Sequence, residues 1–564
     1  MPIPRSFARR CFQVAVIDQI KVPIEIKKEE GGEMDKIGKS ESTPLTTKHT
    51  LGEHNVRVLG LDIHNPVFFI SGIVIIAFVV LTAVFQEQAS EFFGKLRPAA
   101  TNNFNWLLAI SGNIFILFCI VLAISPYGKI RLGGDDAKPD FTYPAWFAML
   151  FSAGMGIGLM FFGVSEPLSH YTSSLAADAG TPESWAPLAG AAGDEAAAAR
   201  LSMAATVFHW GLHPWAMYAV VGLSLAFFTF NCKLPMSIRS IFHPLLGERV
   251  WGWPGHIIDI LAVFATLFGL ATSLGFGASQ AVAGLNHLFG IPAGTASEAI
   301  LIVVITAFAL VSVVLGLHAG VKRLSEINMI LALVLLLLVI IAGPTVAIFS
   351  GLFSNLAAYL AELPSLSNFI GREDTNFYNG WTAFYWAWWI SWSPFVGMFI
   401  ARVSRGRTVR EFLVCVLIIP SLVSLLWMTS FGTTAIEQVA AGNTALGEAA
   451  LPLKLFLMLE GLPLAAISAP LAIILVVVFF VTSSDSGSLV IDTITAGGKT
   501  DAPVAQRVFW AIFEGLVAII LLVAGGLGAL QAASVTTGIP FAVVLLAMCL
   551  SLWLGLRAMR RLQG

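Results

Sequence analysis

Two stretches, PVFFISGIVIIAFVVLTAVF (66–85) and INMILALVLLLLVIIAGPTVAIF (327–349), limit the folds open to this chain. Each is as long as the ~20 apolar residues that carry a helix across a bilayer, where an irregular chain would leave its backbone polar groups unsatisfied. Only 12% of the 564 residues are charged and 57% are hydrophobic; a soluble protein carries roughly a quarter charged residues. The sequence therefore reads as an all-α polytopic membrane protein. A formal net charge of -2 and the lack of a basic patch give no reason to expect a nucleic-acid partner. The five cysteines are scattered without metal or disulfide spacing.

Hydropathy gives twelve spans, at 66–86, 104–125, 143–171, 203–230, 257–289, 298–317, 325–352, 380–401, 411–432, 464–483, 505–526 and 537–557. Lys and Arg concentrate in one set of loops, including Lys129, Arg131, Arg402, Arg405, Arg407 and Arg410, which puts both termini in the cytoplasm by the positive-inside rule. The plan is a disordered cytoplasmic tail at 1–60, in which Met34 is an alternative start, and spans 1–2 within 61–140. A first set of five helices covers 141–352, an extracytoplasmic connector 353–379, a second set of five 380–558, and a short cytoplasmic end 559–564. Two sets of five imply an inverted repeat, an inference from counting alone.

Four motifs, beside one isolated carboxylate, carry candidate chemistry. In FSAGMGIGLMFFG (151–163), Gly154, Gly156 and Gly158 either unwind the span beside a ligand or form a face for close helix packing. In FHWGLHPWAMY (208–218), Trp210, Trp215 and Tyr218 share a segment with His209 and His213; no third ligand accompanies that i, i+4 pair, so a structural role outweighs a metal site. In FFVTSSDSGS (479–488), clustered hydroxyls favour a hard cation such as sodium over simple back-bonding to the helix. Glu514 is an intramembrane carboxylate without an assigned role.

The fourth is FYWAWWISWSPF (384–395). Tyr385, Trp388, Trp389 and Trp392 fall along one side of a helix, with Trp381 one turn earlier. A face of indoles binds a cation that cannot donate hydrogen bonds. With no intramembrane Asp or Glu evident nearby, it suits a quaternary ammonium better than a primary amine. A substrate carboxylate would meet backbone N–H groups at the unwound Gly154–Gly158 segment. The indicated ligand is a zwitterion with a methylated cation.

AGMGIGLMFFGVSEP (153–167), FHWGLHPWAMYA (208–219), ATSLGFGASQ (271–280), YWAWWISWSPFVGMFIARVSRGRTVREF (385–412) and VTSSDSGSL (481–489) together resemble the betaine/carnitine/choline transporter family over about residues 60–557. The resemblance implies two extra helices before a five-plus-five inverted repeat (a LeuT-like fold), alternating access, trimethylammonium substrates, a homotrimer in the bacterial inner membrane and no enzymatic activity. It places Trp210, Trp215, Tyr218 and Trp389 in an aromatic box, with Trp388 and Trp392 lining the pathway and Phe395 just below. It implies a sodium at Ser152, Met155, Phe479, Thr482 and Ser483. A second sodium would use Thr266 and Phe395, but Leu270 stands where a second threonine belongs and cannot ligate an ion. Gly158, where proton-coupled choline members carry an aspartate, favours a sodium-coupled importer of glycine betaine or a related osmolyte. The alternatives are an importer of choline, carnitine, ectoine or dimethylsulfoniopropionate with proton or other coupling, and a transporter-like sensor. RAMRRLQG (557–564) is shorter than the basic C-terminal helix of osmosensing members.

Overall fold

The computed structural model describes residues 45–154, 156–315 and 320–563. Most of the N-terminal tail and Met155 lie outside them. The described part of the tail differs from the disorder expected to residue 60. A two-stranded antiparallel hairpin, β1 (Asn55–Val58) and β2 (Leu61–His64), pairs Val58 with Leu61 around a two-residue turn. Both turn residues have positive φ, Leu59 at 49° and Gly60 at 80°, as a turn matching the right-handed strand twist requires. The hairpin is anchored from outside: Asn55 Nδ2 donates to the Ala496 carbonyl (2.9 Å), and Lys499 pairs with Asp62 (2.7 Å). Burial, with the Arg239 guanidinium beside it, holds His64 down to about 2, and its Nε2 lies 3.1 Å from Arg239 Nη1, as a neutral acceptor. These contacts join residues hundreds of positions apart, so local composition did not announce them.

Helices follow almost without interruption: α1 (Asn65–Val84), α2 (Gln86–Ile124), α3 (Tyr143–Gly154), α4 (Ile157–Leu175), α5 (Glu195–Trp210), α6 (Leu212–Phe230), α7 (Trp253–Phe289) and α8 (Thr295–Leu315). After them come α9 (Gly320–Ala342), α10 (Thr345–Ser367), α11 (Ala383–Val403), α12 (Val409–Ala440), α13 (Ala465–Thr495) and α14 (Val504–Gln563). Among the described residues ten helical stretches are long and apolar enough to cross a membrane. The lipid-type helices α1, α8 and α9 leave many large apolar side chains exposed, whereas α6 and α11 are buried along most of their length. The buried helices therefore form the centre of the bundle.

Breaks in the helices position the site. α3 and α4 are separated at residues 155–156, with Gly156 fully extended (φ -173°, ψ -173°). Gly211 interrupts what would be a single helix from Glu195 to Phe230. Gly526 (φ 60°) breaks α14, a conformation glycine reaches without penalty. A capping box of Thr408 and Glu411 starts α12, and the Arg407 guanidinium lies over Tyr143 and Trp146, 4.1 and 4.6 Å from their ring centroids, holding the start of α3.

One boundary needs correction. The span read at 325–352 ends at Ala342, and residues 345–367 form α10, so much of the expected connector at 353–379 is helix. Gly343–Pro344 divides the two, since proline cannot continue the α9 hydrogen-bond pattern. α10 lies against α5 and α12; Tyr359 reaches the Gly211 break, where its hydroxyl accepts from Leu212 N (3.4 Å), and Glu362 pairs with Arg200 (2.8 Å).

Candidate functional site

The bundle brings the aromatic residues of α5, α6 and α11 together. Trp389 meets Trp210 edge to face (ring centroids 5.0 Å, 88°) and Tyr218 likewise (5.4 Å, 75°). Tyr218 in turn meets Trp215 at 5.3 Å and 83°. These are the edge-to-face spacings aromatic pairs favour. All four rings are buried, Trp389 the least at 9% exposed. Trp389 Nε1 donates to the His209 carbonyl (3.0 Å), a group close to the Gly211 break. Trp388 sits beside Trp389 (5.7 Å) and beside Trp392 (6.4 Å), and Trp392 packs on Phe395 (5.4 Å). Trp386 points the other way and stacks on His213 (5.4 Å, 11°).

The three glycines of α3–α4 divide the two roles read for them. Gly156 is open, with nothing within 4 Å of where a Cβ would stand. At Gly158 an added Cβ would lie 2.8 Å from Trp210 Cη2 and 3.0 Å from Trp388 Cη2. Gly154 ends α3. The break thus sits two residues from a glycine that lets two indoles approach the backbone. The break and the close packing fall at different positions.

The histidines do not form the pair their spacing suggested. The Gly211 break turns His213 toward Asn113 Oδ1 (3.0 Å), while His209 Nδ1 lies 2.6 Å from Glu166 Oε1. Glu166 also corrects the expectation of no carboxylate near the indoles. It is fully buried on α4, and its Oε2 accepts from Trp210 Nε1 (2.7 Å) and the Tyr385 hydroxyl (2.5 Å). His170 Nε2 lies 3.3 Å from Oε1. These ligand atoms of Glu166, His170 and His209 lie within 4.8 Å of one another, but their hydrogen bonds already account for the carboxylate. The available signal was a lone Glu with a histidine four residues on, since its other three partners are 43 to 219 residues away.

The hydroxyl stretch of α13 looks inward to its own helix and to neighbouring carboxylates. Thr482 Oγ1 donates to the Val478 and Phe479 carbonyls (3.1 Å each) and accepts from Asn328 Nδ2 (2.9 Å). Phe479 is buried and Ser483 half-buried. Ser152, half-buried, lies near the end of α3; Met155, its expected co-ligand, is outside the described residues. One residue further, Ser484 donates to Glu514 Oε2 (3.0 Å), giving that carboxylate a partner. At the second expected ion position, Thr266 is buried and its hydroxyl donates to the Ala262 carbonyl (2.7 Å). Leu270 packs so tightly on Gly487 that a Cβ there would stand 2.2 Å from Leu270 Cδ1.

The sequence comparisons decide the family. The profile of the betaine/carnitine/choline family transporters (BCCT) matches residues 66–561. The chain belongs to this family. Among its relatives, a glycine betaine/proline/choline transporter of Vibrio parahaemolyticus is 61% identical over 520 residues, 91% of this chain and 94% of the relative. A glycine betaine/proline/choline/ectoine transporter of the same organism is 50% identical, covering 91% of this chain and 90% of the relative. A glycine betaine transporter of Acinetobacter baylyi is 44% identical over 87% of this chain and 73% of its own length. The chain is thus a multi-pass membrane transporter of the BCCT family rather than an enzyme.

Proposed function

We propose that this BCCT member is a sodium-coupled secondary symporter that imports glycine betaine or a related quaternary-ammonium osmolyte by alternating access. The observation that carries the reading is the ring assembly of Trp210, Trp215, Tyr218 and Trp389 beside the broken α3–α4 helix. Indole and phenol faces attract a desolvated trimethylammonium, which needs no hydrogen bond, by up to ~2 kcal/mol per contact. Among the described residues Trp215 Nε1 and Tyr218 Oη are buried donors without a hydrogen-bond partner, which suits them to a zwitterion's carboxylate. The rings touch one another, so a ligand enters only as α11 and α5–α6 separate, in keeping with alternating access.

Twelve spans follow if α3–α4 and α5–α6 each count once, the two parts of α14 count separately and α10 is set aside. α10 is then left over between two sets of five, as a connector in an inverted repeat. The Lys/Arg loop bias supports cytoplasmic termini in the bacterial inner membrane. A homotrimer and the sodium site at Ser152, Met155, Phe479, Thr482 and Ser483 belong to the same reading. Leu270 favours one sodium of this type over two, because it occupies the second ligand position with hydrocarbon.

Uptake of radiolabelled glycine betaine into proteoliposomes, with and without an inward sodium gradient, tests the proposal. Accumulation is expected only with the sodium gradient. Uptake that ignores sodium and follows pH overturns the coupling. A panel adding choline, proline and ectoine, for which relatives are named, sets the substrate range.

A further inference from the structure

We propose that Glu166 is a positioning residue of the aromatic box, strengthening cation binding through the Trp210 indole without touching the ligand. The inference rests on the ammonium-box reading above. Glu166 is fully buried, and its four neighbouring donor groups come from three helices: His170 of α4 itself, His209 and Trp210 of α5, and Tyr385 of α11. His209 passes the network on, with Nε2 3.0 Å from Thr382 Oγ1; the tautomer that satisfies both contacts donates from Nδ1 to Glu166 and accepts the threonine hydroxyl at Nε2.

Two consequences follow from this geometry. The first concerns the ring. Trp210 Nε1 donates to the Glu166 carboxylate at 2.7 Å, while the Trp210 ring meets Trp389 edge to face at 5.0 Å. A hydrogen bond to an anionic acceptor draws the indole N–H toward the carboxylate and enriches the π face, the part of the ring that attracts a cation. Donors within a buried network polarise one another in the same sense. The second concerns exclusion. With both oxygens engaged, Glu166 has no free lone pair aimed at the box, so a primary ammonium gains no direct carboxylate partner there. The negative charge acts on the ligand only through the ring, a form of attraction that a methylated ammonium uses fully.

Direct binding of two ligands of equal shape to the full chain in detergent tests this. Glycine betaine carries the trimethylammonium; 3,3-dimethylbutanoate replaces its nitrogen by carbon and keeps the carboxylate. In the wild type, betaine binds more tightly than the isostere, and that ratio isolates the cation's share. Glu166→Gln is expected to weaken betaine roughly fivefold, less than the loss of a whole cation–π contact because the ring itself stays, and to leave the isostere much less changed, so the ratio falls. Glu166→Asp, which keeps the charge, is expected to restore most of the ratio. Equal weakening of both ligands by Glu166→Gln means mere structural damage and overturns the proposal. If Glu166→Gln does not accumulate in the membrane, Trp210→Phe carries the test: it keeps a ring but has no N–H to donate, and an unchanged ratio overturns the proposal. A wild type that does not distinguish betaine from its isostere fails the box reading itself, a different outcome from any of these.

Discussion

The rings of the box and the Thr482 hydroxyl of α13 satisfy themselves in opposite ways. Trp210, Trp389 and Tyr218 hold their positions by touching rings on other helices, so the box exists only while α5, α6 and α11 stay in register. Thr482, by contrast, donates to carbonyls one turn back on its own helix and, among the described residues, takes one bond from outside, from Asn328. Relative movement of α5, α6 and α11 must therefore change the box, whereas the Thr482 hydroxyl has mostly local bonds to exchange. Under the sodium coupling proposed above, movement of these helices would gate the organic substrate and α13 would carry the ion.

The largest expected effect breaks the aromatic half. Trp389→Leu removes the ring that bridges Trp210 to Tyr218 and the bond to the His209 carbonyl. At about 2 kcal/mol for a desolvated cation–π contact, betaine affinity should fall roughly 30-fold. Trp386→Leu, on the opposite face against His213, should lower the amount of folded protein and leave the half-saturating betaine concentration near wild type. Equal losses of affinity in the two variants would mean that the tryptophan wall acts only as packing. Betaine titration of purified protein, with yield scored separately, reads both.

A smaller effect separates the two glycines. Gly158→Ala places a methyl 2.8 Å from Trp210 and 3.0 Å from Trp388, and overpacking of this kind costs about 1–3 kcal/mol. Betaine uptake should show the half-saturating concentration rising about tenfold. Gly156→Ala meets nothing within 4 Å and has an extended backbone open to any residue, so its affinity should stay within about twofold of wild type. A severe loss at Gly156 would show that a ligand, rather than a neighbouring side chain, occupies that open space.

The legibility of these features in the sequence follows the same division. Membrane spans and the indole face are local patterns, one of length and one of helical period, and they read directly from 66–85 and 384–395. The glycine run announced a break, but only the packing shows that Gly156 is the open position and Gly158 the close approach. Glu166 escaped because a single carboxylate in an apolar motif says nothing of partners on α5 and α11. α10 escaped because its polar residues resemble a loop until Tyr359 and Glu362 are seen bonded to α6 and α5. The hairpin at 55–64 escaped for the same reason, its anchors lying near residue 496. What the sequence hides is contact order, not chemistry.

The smallest expected effect tests the hydroxyl half. Thr482→Ala deletes an oxygen that accepts from Asn328 and otherwise serves its own helix. The helix keeps its backbone bonds, so folding should change little, while an ion that uses this oxygen loses one ligand. At roughly 1 kcal/mol for one hydrogen-bond-scale contact, the sodium concentration for half-maximal uptake should rise about fivefold. Betaine affinity at saturating sodium should remain near wild type, because none of the hydrogen bonds of Thr482 among the described residues goes to a box ring. A shift in betaine affinity with unchanged sodium dependence would reverse the assignment of the two regions. Thr266→Ala sharpens the comparison: its hydroxyl also bonds back to its own helix, at Ala262, and its expected co-ligand position holds Leu270. Sodium dependence should therefore move with Thr482 and not with Thr266, which distinguishes a hydroxyl that serves an ion from one that only serves its helix.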